Sequence, residues 1–404
     1  MSSFHPISEA IDALRSGRMI VVVDGEDREN EGDIVSAAEH VDTEKMAFMI
    51  RHTGGVVCLA LSNAIADTID LPPMVQRNTS ARGTPFTVSI EAAEGVTTGI
   101  SAADRVATIR AAVSPVARPE DLRRPGHVFP LRAADGGVLV RAGHTEASVD
   151  LCRLAGCREA AVISELMHDD GTMMRLPALT AFAAEHGLPI ISIADLIAYR
   201  QRNETFIRLE AETRIETQTG EWRMRVYADA VHGSEHVALI KGTIDPLLPV
   251  LVRVHSECLT GDAFGSLHCD CGAQLQLAMR SIEAEGSGVI VYMRQEGRGI
   301  GLQNKVRAYE LQRTEGVDTA EANELLGLPV DLRTYGIGAQ ILKDCGVGNM
   351  RLLTNNPKKV VGLAGYGLHL MEQVPLEVTP VTEQQKKYLK TKREKMEHVL
   401  RNVD

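Results

Sequence analysis

At 404 residues the chain is too long for one ordinary core, and its length favours two or three domains. Hydrophobic residues make up 44% and charged residues 24%, a globular balance, and no apolar run approaches the roughly 20 residues of a bilayer span. The formal net charge of −11, from 54 acidic and 43 basic residues, argues against a nucleic-acid binder, and the first residues, Met1 to Pro6, carry no secretory signal. A cytoplasmic protein is expected, with no membrane and no nucleic-acid partner.

In chain order, Met19–Val23 reads as a short apolar strand, followed by an acidic loop from Asp24 to Asp33. Helical patterns follow at Thr43–Thr53, Ala102–Val113, Val149–Ala155, Pro177–His186 and Ile193–Arg200, with a buried strand at Leu188–Ile193. From Tyr199 to Glu221 the sequence is polar with little periodicity, and the domain joint is placed here, giving domains 1–203 and 204–404. Beyond it, Trp222–Lys241 alternates like paired strands, and Val250–Val254, Val289–Met293 and Met350–Leu353 read as strands. Gln274–Glu285 and Asn304–Gln312 read as helices, and the charged run from Thr382 to Val399 as a solvated terminal helix. Strands alternating with helices predict an α/β protein with some α+β character, in two α/β domains.

The loop Asp24-Gly25-Glu26-Asp27-Arg28-Glu29-Asn30-Glu31-Gly32-Asp33 crowds acids after a strand. Hard cations such as Mg²⁺ take oxygen ligands of this kind; the alternative is a solvated acidic turn. Two further segments, Arg124-Pro125-Gly126-His127 and Arg141-Ala142-Gly143-His144-Thr145-Glu146, set a basic residue and a histidine around glycine, as phosphate-binding loops do. Glu165 follows near a strand end, before Asp169-Asp170-Gly171-Thr172.

Residues 1–200 resemble 3,4-dihydroxy-2-butanone 4-phosphate synthase through EDRENEGD (26–33), NTSARGTPFTV (78–88), TTGISAADR (97–105), RPGHVFPLR (124–132), GGVLVRAGHTEA (136–147) and LMHDDGTMMRLP (166–177). The resemblance implies conversion of ribulose 5-phosphate to the four-carbon ketone phosphate and formate with Mg²⁺ (or Mn²⁺). It implies Glu29 and His144 as metal ligands and Arg28, Glu29, Asp33, Arg141, Ala142, Gly143, His144, Thr145 and Glu165 around the substrate. Glu165 and His127 become the essential acid–base pair. Enolising an α-hydroxyketone needs a positioned base and a cation on the developing oxygens. Cys58 and Thr84, near the loops, are further candidates for pocket lining, with Cys58 reading equally as core.

Seven cysteines form no disulfide framework, but Cys258, Cys269 and Cys271 make a C-x10-C-x-C array suited to Zn²⁺. Three thiolates leave a fourth position for water; a closed site would need His255 or His268 as the fourth ligand. Arg294-Gln295-Glu296-Gly297-Arg298-Gly299 and Thr354-Asn355-Asn356-Pro357-Lys358-Lys359 follow strands and suit phosphate contacts or, for the second, an ordinary polar turn.

Residues from about 205 to 400 resemble GTP cyclohydrolase II through RVHSECLTGDAFGSLHCDCGAQL (253–275), RQEGRGIGLQNKVRAY (294–309), DTAEANELLG (318–327) and LLTNNPKK (352–359). That family opens the guanine imidazole ring, releasing formate and pyrophosphate. The resemblance implies Cys258, Cys269 and Cys271 as zinc ligands, and Arg253, Val254, His255, Ser256, Glu257, Gln274, Glu296, Gly297, Arg298, Thr319, Thr354 and Lys359 as GTP contacts. It implies Asp331 as proton acceptor, Arg333 as the group acting on the α-phosphate and Tyr309 near the ring-opening step. A guanidinium with a pKa above about 12 suits charge stabilisation better than nucleophilic attack. Tyr199–Glu221 matches neither stretch well. The resemblances together imply a homodimer making both precursors of riboflavin. Two rivals are a chain with one working half and a non-catalytic zinc module with four protein ligands.

Overall fold

A computed structural model describes residues 4–26, 28–80, 82–328, 336–356, 366–378, 382, 385–386 and 393, and the side chains of all of these except Arg298 and Ala320. The chain divides into two compact units, residues 1–203 and 204–404. No described helix is long and apolar enough to cross a membrane.

The first unit contains α1 (Ile7–Arg15), β1 (Ile20–Val23), β2 (Gly32–Ala37), α2 (Thr43–His52), β3 (Cys58–Leu61), α3 (Asn63–Thr68), β4 (Ile90–Ala92), α4 (Ala102–Ala112), β5 (Leu122–Arg132), α5 (His144–Ala155), β6 (Ala160–Glu165), α6 (Leu176–His186), β7 (Ile190–Ser192) and α7 (Ile193–Asn203). Its seven strands form one mixed sheet in the order β4-β5-β3-β6-β2-β1-β7. Alternation sends side chains to opposite faces. Ile20 and Val22 join Ile11, Leu14, Leu151 and Leu196 on the side of α1, α5 and α7. Val21 and Val23 join Met46, Met49, Ile109 and Leu179 on the side of α2, α4 and α6. The result is a three-layer α/β/α unit. Helix ends follow their capping signals: the Asp42 side chain accepts from Lys45 N at 2.8 Å to start α2, and Gly156, at φ 75°, stops α5.

The second unit contains β8 (Ile207–Thr217), β9 (Gly220–Asp229), β10 (Glu235–Lys241), β11 (Pro249–Ser256), α8 (Leu259–Asp262), α9 (Cys271–Glu285), β12 (Gly288–Met293), α10 (Gly301–Thr314), α11 (Thr319–Leu325), α12 (Gly336–Asp344), β13 (Asn349–Leu353) and β14 (His369–Val374). Its sheet order is β14-β13-β11-β12-β10-β9-β8. Strands β11, β12, β13 and β14 run parallel, whereas β8, β9, β10 and β12 pair antiparallel. Ala278, Met279 and Ile282 of α9 pack with Trp222, Leu251 and Ile290 on one face. Val254 and Met293 meet α12 at Gly338 on the other.

Three local readings need correction. Residues 207–217 are not joint but β8, an edge strand paired with β9 and exposed along most of its length. Ile207, Leu209, Ala211, Thr213 and Ile215 do alternate with Arg208, Glu210, Glu212, Arg214 and Glu216, a period-two strand signal that the density of charge masks. Arg124–His127 lies within β5 instead of a free loop, and His144 is the first residue of α5. Asp331, Arg333, Lys359 and nearly all of the 382–399 run lie outside the described residues.

Candidate active sites

In the first unit the acidic loop returns on itself because Asp24, buried at the end of β1, accepts the backbone N–H groups of Glu29 at 3.0 Å and Glu31 at 2.8 Å. Arg28 Nη1 donates to Asp24 Oδ2 at 2.9 Å and to Glu29 Oε2 at 2.6 Å. This turns Glu29 toward the start of α5, where His144 Nδ1 lies 3.8 Å from Glu29 Oε2. Asp24, Glu29 and His144 each present a ligand atom within 4.8 Å of the others. His144 is buried, and among the described residues its Nε2 has no hydrogen-bond partner, nor has Asp33 Oδ1.

Asp33 of β2 stands opposite Glu165 of β6 in the antiparallel register. Burial pushes the Asp33 carboxyl up, and the Glu165, Glu29 and Glu31 charges add to this against the pull of His144. Burial alone would lower His144, but the facing Asp33, Glu29 and Asp24 carboxyl groups outweigh it and hold the ring above its ordinary value. The facing His144 imidazole, 3.8 Å away, and then the charge on Arg28 overcome burial and hold Glu29 near 2. Cys58 is buried on β3; burial first, then Glu165 and Asp33, push its thiol up. Thr84 is half-buried and offers its carbonyl to Asn78 at 2.9 Å.

Basic groups converge beside the acids. Arg141 Nη1 donates to the buried Glu146 at 2.7 Å. A Cβ added to Gly143, the N-cap of α5, would lie 2.6 Å from Arg141 Nη1 and 3.0 Å from Arg28 Nη2. The backbone of Ala142 and Gly143, with Thr145 behind, thus brings two guanidinium groups to a helix start, a ready place for a phosphate. His127 is elsewhere: its Nδ1 lies 2.6 Å from Glu91 Oε2, while Glu165 Oε2 accepts from Val56 N at 3.1 Å. Among the described residues no hydrogen bond joins His127 to Glu165.

In the second unit the site residues sit at the carboxyl ends of β11, β12 and β13. The chain leaves β11 to form β12 on one side and later β13 on the other, the place where open α/β sheets bind ligands. Beyond β11, Cys258, Cys269 and Cys271 bring their sulfurs within 4.8 Å of one another, Cys258 and Cys269 at 3.6 Å. A Cβ on Gly261 would meet the Cys269 sulfur at 2.9 Å and the Cys258 sulfur at 3.1 Å, so glycine leaves the room. Hydrogen bonds from the other two thiols, then Lys305, hold Cys258 far below the usual thiol range, and the hydrogen bond Cys269 gives to that thiolate, with burial and the thiolate's charge, pushes Cys269 upward. Among the described residues neither His255 nor His268 joins the cluster. His255 Nε2 faces Asp262 at 3.0 Å and its ring stacks on Tyr292, while His268 tilts onto Tyr309.

The surrounding residues form one network. Arg253 donates to Leu353 O at 2.8 Å and to Gln274 Oε1 at 2.7 Å, and Gln274 donates to Asp270 at 2.6 Å. Glu296 accepts from Leu259 N, from Gly297 N and from Lys305 Nζ, which also donates to Cys258 Sγ at 3.1 Å. Tyr309 lies one turn after Lys305 and its hydroxyl is 3.4 Å from Thr260 Oγ1. Burial pushes Glu257 up; it lines a cleft of about 640 Å³ with Arg294, Glu296 and His236. Val254 is buried, the Ser256 hydroxyl has no partner among the described residues, Thr354 Oγ1 accepts from Asn356 N at 3.0 Å, and Thr319 opens α11.

Two residues escaped sequence reading. Lys305 lay inside the run RQEGRGIGLQNKVRAY (294–309), four residues before Tyr309 and so on its helical face. Asp24 opened the acidic loop without being separated from it; its place as the last residue before the turn was the signal.

Residues 8–199 match 3,4-dihydroxy-2-butanone 4-phosphate synthase and residues 208–375 match GTP cyclohydrolase II. The second match includes β8, so the stretch that resembled neither domain belongs largely to the second. The chain is 53% identical over 397 residues to riboflavin biosynthesis protein RibBA of Bacillus cereus (strain AH187), covering 98% of this chain and 99% of that one. It is 54% identical over 399 residues to RibBA of Bacillus subtilis (strain 168), with the same coverages of 98% and 99%. A two-domain 3,4-dihydroxy-2-butanone 4-phosphate synthase from A. baumannii, RibBX, is similar with TM-score 0.70 and 37% identity, covering 91% of this chain and 100% of that chain. The chain belongs to the RibBA family of bifunctional riboflavin biosynthesis enzymes, which join a lyase acting on ribulose 5-phosphate to a hydrolase acting on GTP.

Proposed function

We propose that residues 1–203 carry the lyase site and residues 204–404 the hydrolase site, each working through the groups gathered above. In the first, Glu29 and His144 hold Mg²⁺ or Mn²⁺, with Asp24 beside them. The unpartnered buried Nε2 of His144 and the convergence of Asp24, Glu29 and His144 within 4.8 Å support the fit. When bound, such a cation supplies charge for developing enediolate oxygens. Arg28 and Arg141 grip the substrate phosphate at the start of α5. Asp33 and Glu165 face each other across neighbouring strands and handle protons beside the sugar carbons, with His127 as the second acid–base group.

In the second unit Cys258, Cys269 and Cys271 hold Zn²⁺. The room left by Gly261 and the absence of a fourth ligand in the described cluster favour an open site. Bound zinc with an open position supplies an activated water near neutral pH. Arg253, Val254, His255, Ser256, Glu257, Gln274, Glu296, Gly297, Arg298, Thr319, Thr354 and Lys359 surround GTP. Tyr309, above the thiols, acts near the guanine ring; Asp331 and Arg333 keep the roles of proton acceptor and phosphate partner. The protein is cytoplasmic and a homodimer.

The observation that carries this reading is the convergence of two ligand sets of opposite chemistry, Asp24, Glu29 and His144 in one unit and Cys258, Cys269 and Cys271 in the other. The test is formate release by the purified full chain from ribulose 5-phosphate and, separately, from GTP. A second reading, in which only the lyase works, draws on the two-domain synthase relative, whose name gives that activity alone. Formate from both substrates supports two working sites; none from GTP by the zinc-loaded chain supports the second reading.

A further inference from the structure

His127 and Glu91 are joined by more than proximity. Between the adjacent residues Ile90 and Glu91 of β4, the partner on β5 jumps from Val128 to Arg123. Residues 124–127 therefore bulge out of the ladder, and bulges re-aim side chains. The bulge is pressed onto β4: a Cβ on Gly126 would collide with the backbone of Ile90 and Glu91, and Gly126 N donates to Ser89 Oγ at 3.1 Å. At its end the His127 ring delivers Nδ1 to Glu91 Oε2 at 2.6 Å, with the Glu91 side chain 17% exposed and the His127 side chain 45%.

The far side of the Glu91 carboxylate is floored by Gly99, at φ +83°, where any Cβ would run into that carboxylate. Gly99 is fixed in turn by Asp104, which accepts from Gly99 N at 3.1 Å and from Thr97 Oγ1 at 2.8 Å, while Asp104 N bonds the N-cap Ser101 at 3.1 Å. Two sequence runs, 97–105 and 124–127, thus serve to hold one carboxylate against one imidazole. An ionised carboxylate only accepts, so Nδ1 must carry the proton and Nε2 is the atom left for acid–base work.

We propose that Glu91 is a positioning residue of the ribulose 5-phosphate site: by accepting from Nδ1 it fixes the His127 tautomer and ring orientation. This rests on the reading of His127 as an acid–base group. Glu91 does not touch substrate and acts through His127.

The test is imidazole ¹⁵N NMR on the full chain together with steady-state turnover of ribulose 5-phosphate. The His127 signals, among 13 histidines, are assigned by their loss in His127→Ala. In the unaltered chain the Nδ1-protonated form is expected. In Glu91→Gln, and in Glu91→Asp, whose carboxylate is withdrawn by one methylene, both tautomers should appear. Turnover should fall at least tenfold, and by no more than the roughly 10²–10⁴ that the acid–base group itself contributes, and KM should change little. A His127 protonated on Nε2 in the unaltered chain overturns the proposal, as do Glu91 variants with unchanged tautomer and turnover beside an inactive His127→Ala. Full turnover in His127→Ala removes instead the reading of His127 on which the proposal stands.

Discussion

Lys305 holds its ammonium 3.1 Å from the Cys258 sulfur and 2.7 Å from a Glu296 carboxylate oxygen, so one buried cation ties the thiol cluster to the segment after β12. Burial would lower its pKa, but the Glu296 hydrogen bond and neighbouring charges outweigh this and keep it charged. A divalent ion on three thiolates leaves one net negative charge, which a neighbouring cation favours. Lys305→Met should weaken zinc retention against a chelator and abolish most formate release from GTP. It also strands the Glu296 carboxylate, 11% exposed, in the interior, a loss on the order of 3–5 kcal/mol for a broken buried pair. Adding Glu296→Gln should recover part of the stability without restoring zinc retention, as denaturant unfolding and zinc competition would record. Full zinc retention in Lys305→Met would refute this role.

Gly55 packs against Glu165 so closely that an added Cβ would lie 2.7 Å from the Glu165 backbone nitrogen and overlap its carboxylate. Gly55→Ala must therefore displace the end of β6. We expect ribulose 5-phosphate turnover to fall by about 10² or more, in line with misplacing a catalytic group by roughly 1 Å. Unchanged turnover would mean that Glu165 is not where the reaction needs it.

His232 Nδ1 lies 2.7 Å from Asp229 Oδ2, and this hydrogen bond raises the His232 pKa above 6.5. Burial works against the Asp229 charge, but the His232 hydrogen bond, the neighbouring His236 ring and the Val231 N–H hold that carboxyl well below its usual range. The sign follows from each shift. The raised histidine stabilises fully below its unfolded value and loses this as pH rises through the folded value. The lowered aspartate stabilises above its unfolded value and loses this only in strong acid. His232→Gln should thus reduce the thermal midpoint more at about pH 6 than at about pH 9. With its side chain 39% exposed, solvent screening holds the effect under about 1 kcal/mol, or roughly 2–4 °C. An equal change at both pH values would contradict the shift.

Much of the architecture was legible because burial leaves a period. The run Ile20–Val23 is buried on both faces and reads as a strand at once, and Asp42 announces α2. β8 was missed although its residues alternate: the charges of Arg208, Glu210, Glu212, Arg214 and Glu216 gave the stretch a polar texture, and its uncharged face is small and largely exposed. The sites were legible as composition and less so as geometry. The thiol array could be read from spacing, since eleven residues from Cys258 to Cys269 close around Gly261. That Lys305 would neutralise it depends on α10 returning over the cluster, which spacing alone does not disclose. Likewise His127 reads as a loop residue until the strand register shows the bulge that aims it at Glu91. The joining of Glu29 to His144, distant in sequence, needed the fold of Asp24 and Arg28 around them.

The most direct test of two independent centres is formate from each substrate, measured with bound metal on the full chain, Glu29→Ala and Cys269→Ser. The account predicts that Glu29→Ala loses formate from ribulose 5-phosphate while keeping about one zinc and its GTP activity. Cys269→Ser should lose zinc and GTP activity while the ribulose 5-phosphate reaction continues. A folded Cys269→Ser chain that still releases formate from GTP, or either substitution silencing both reactions, would contradict it.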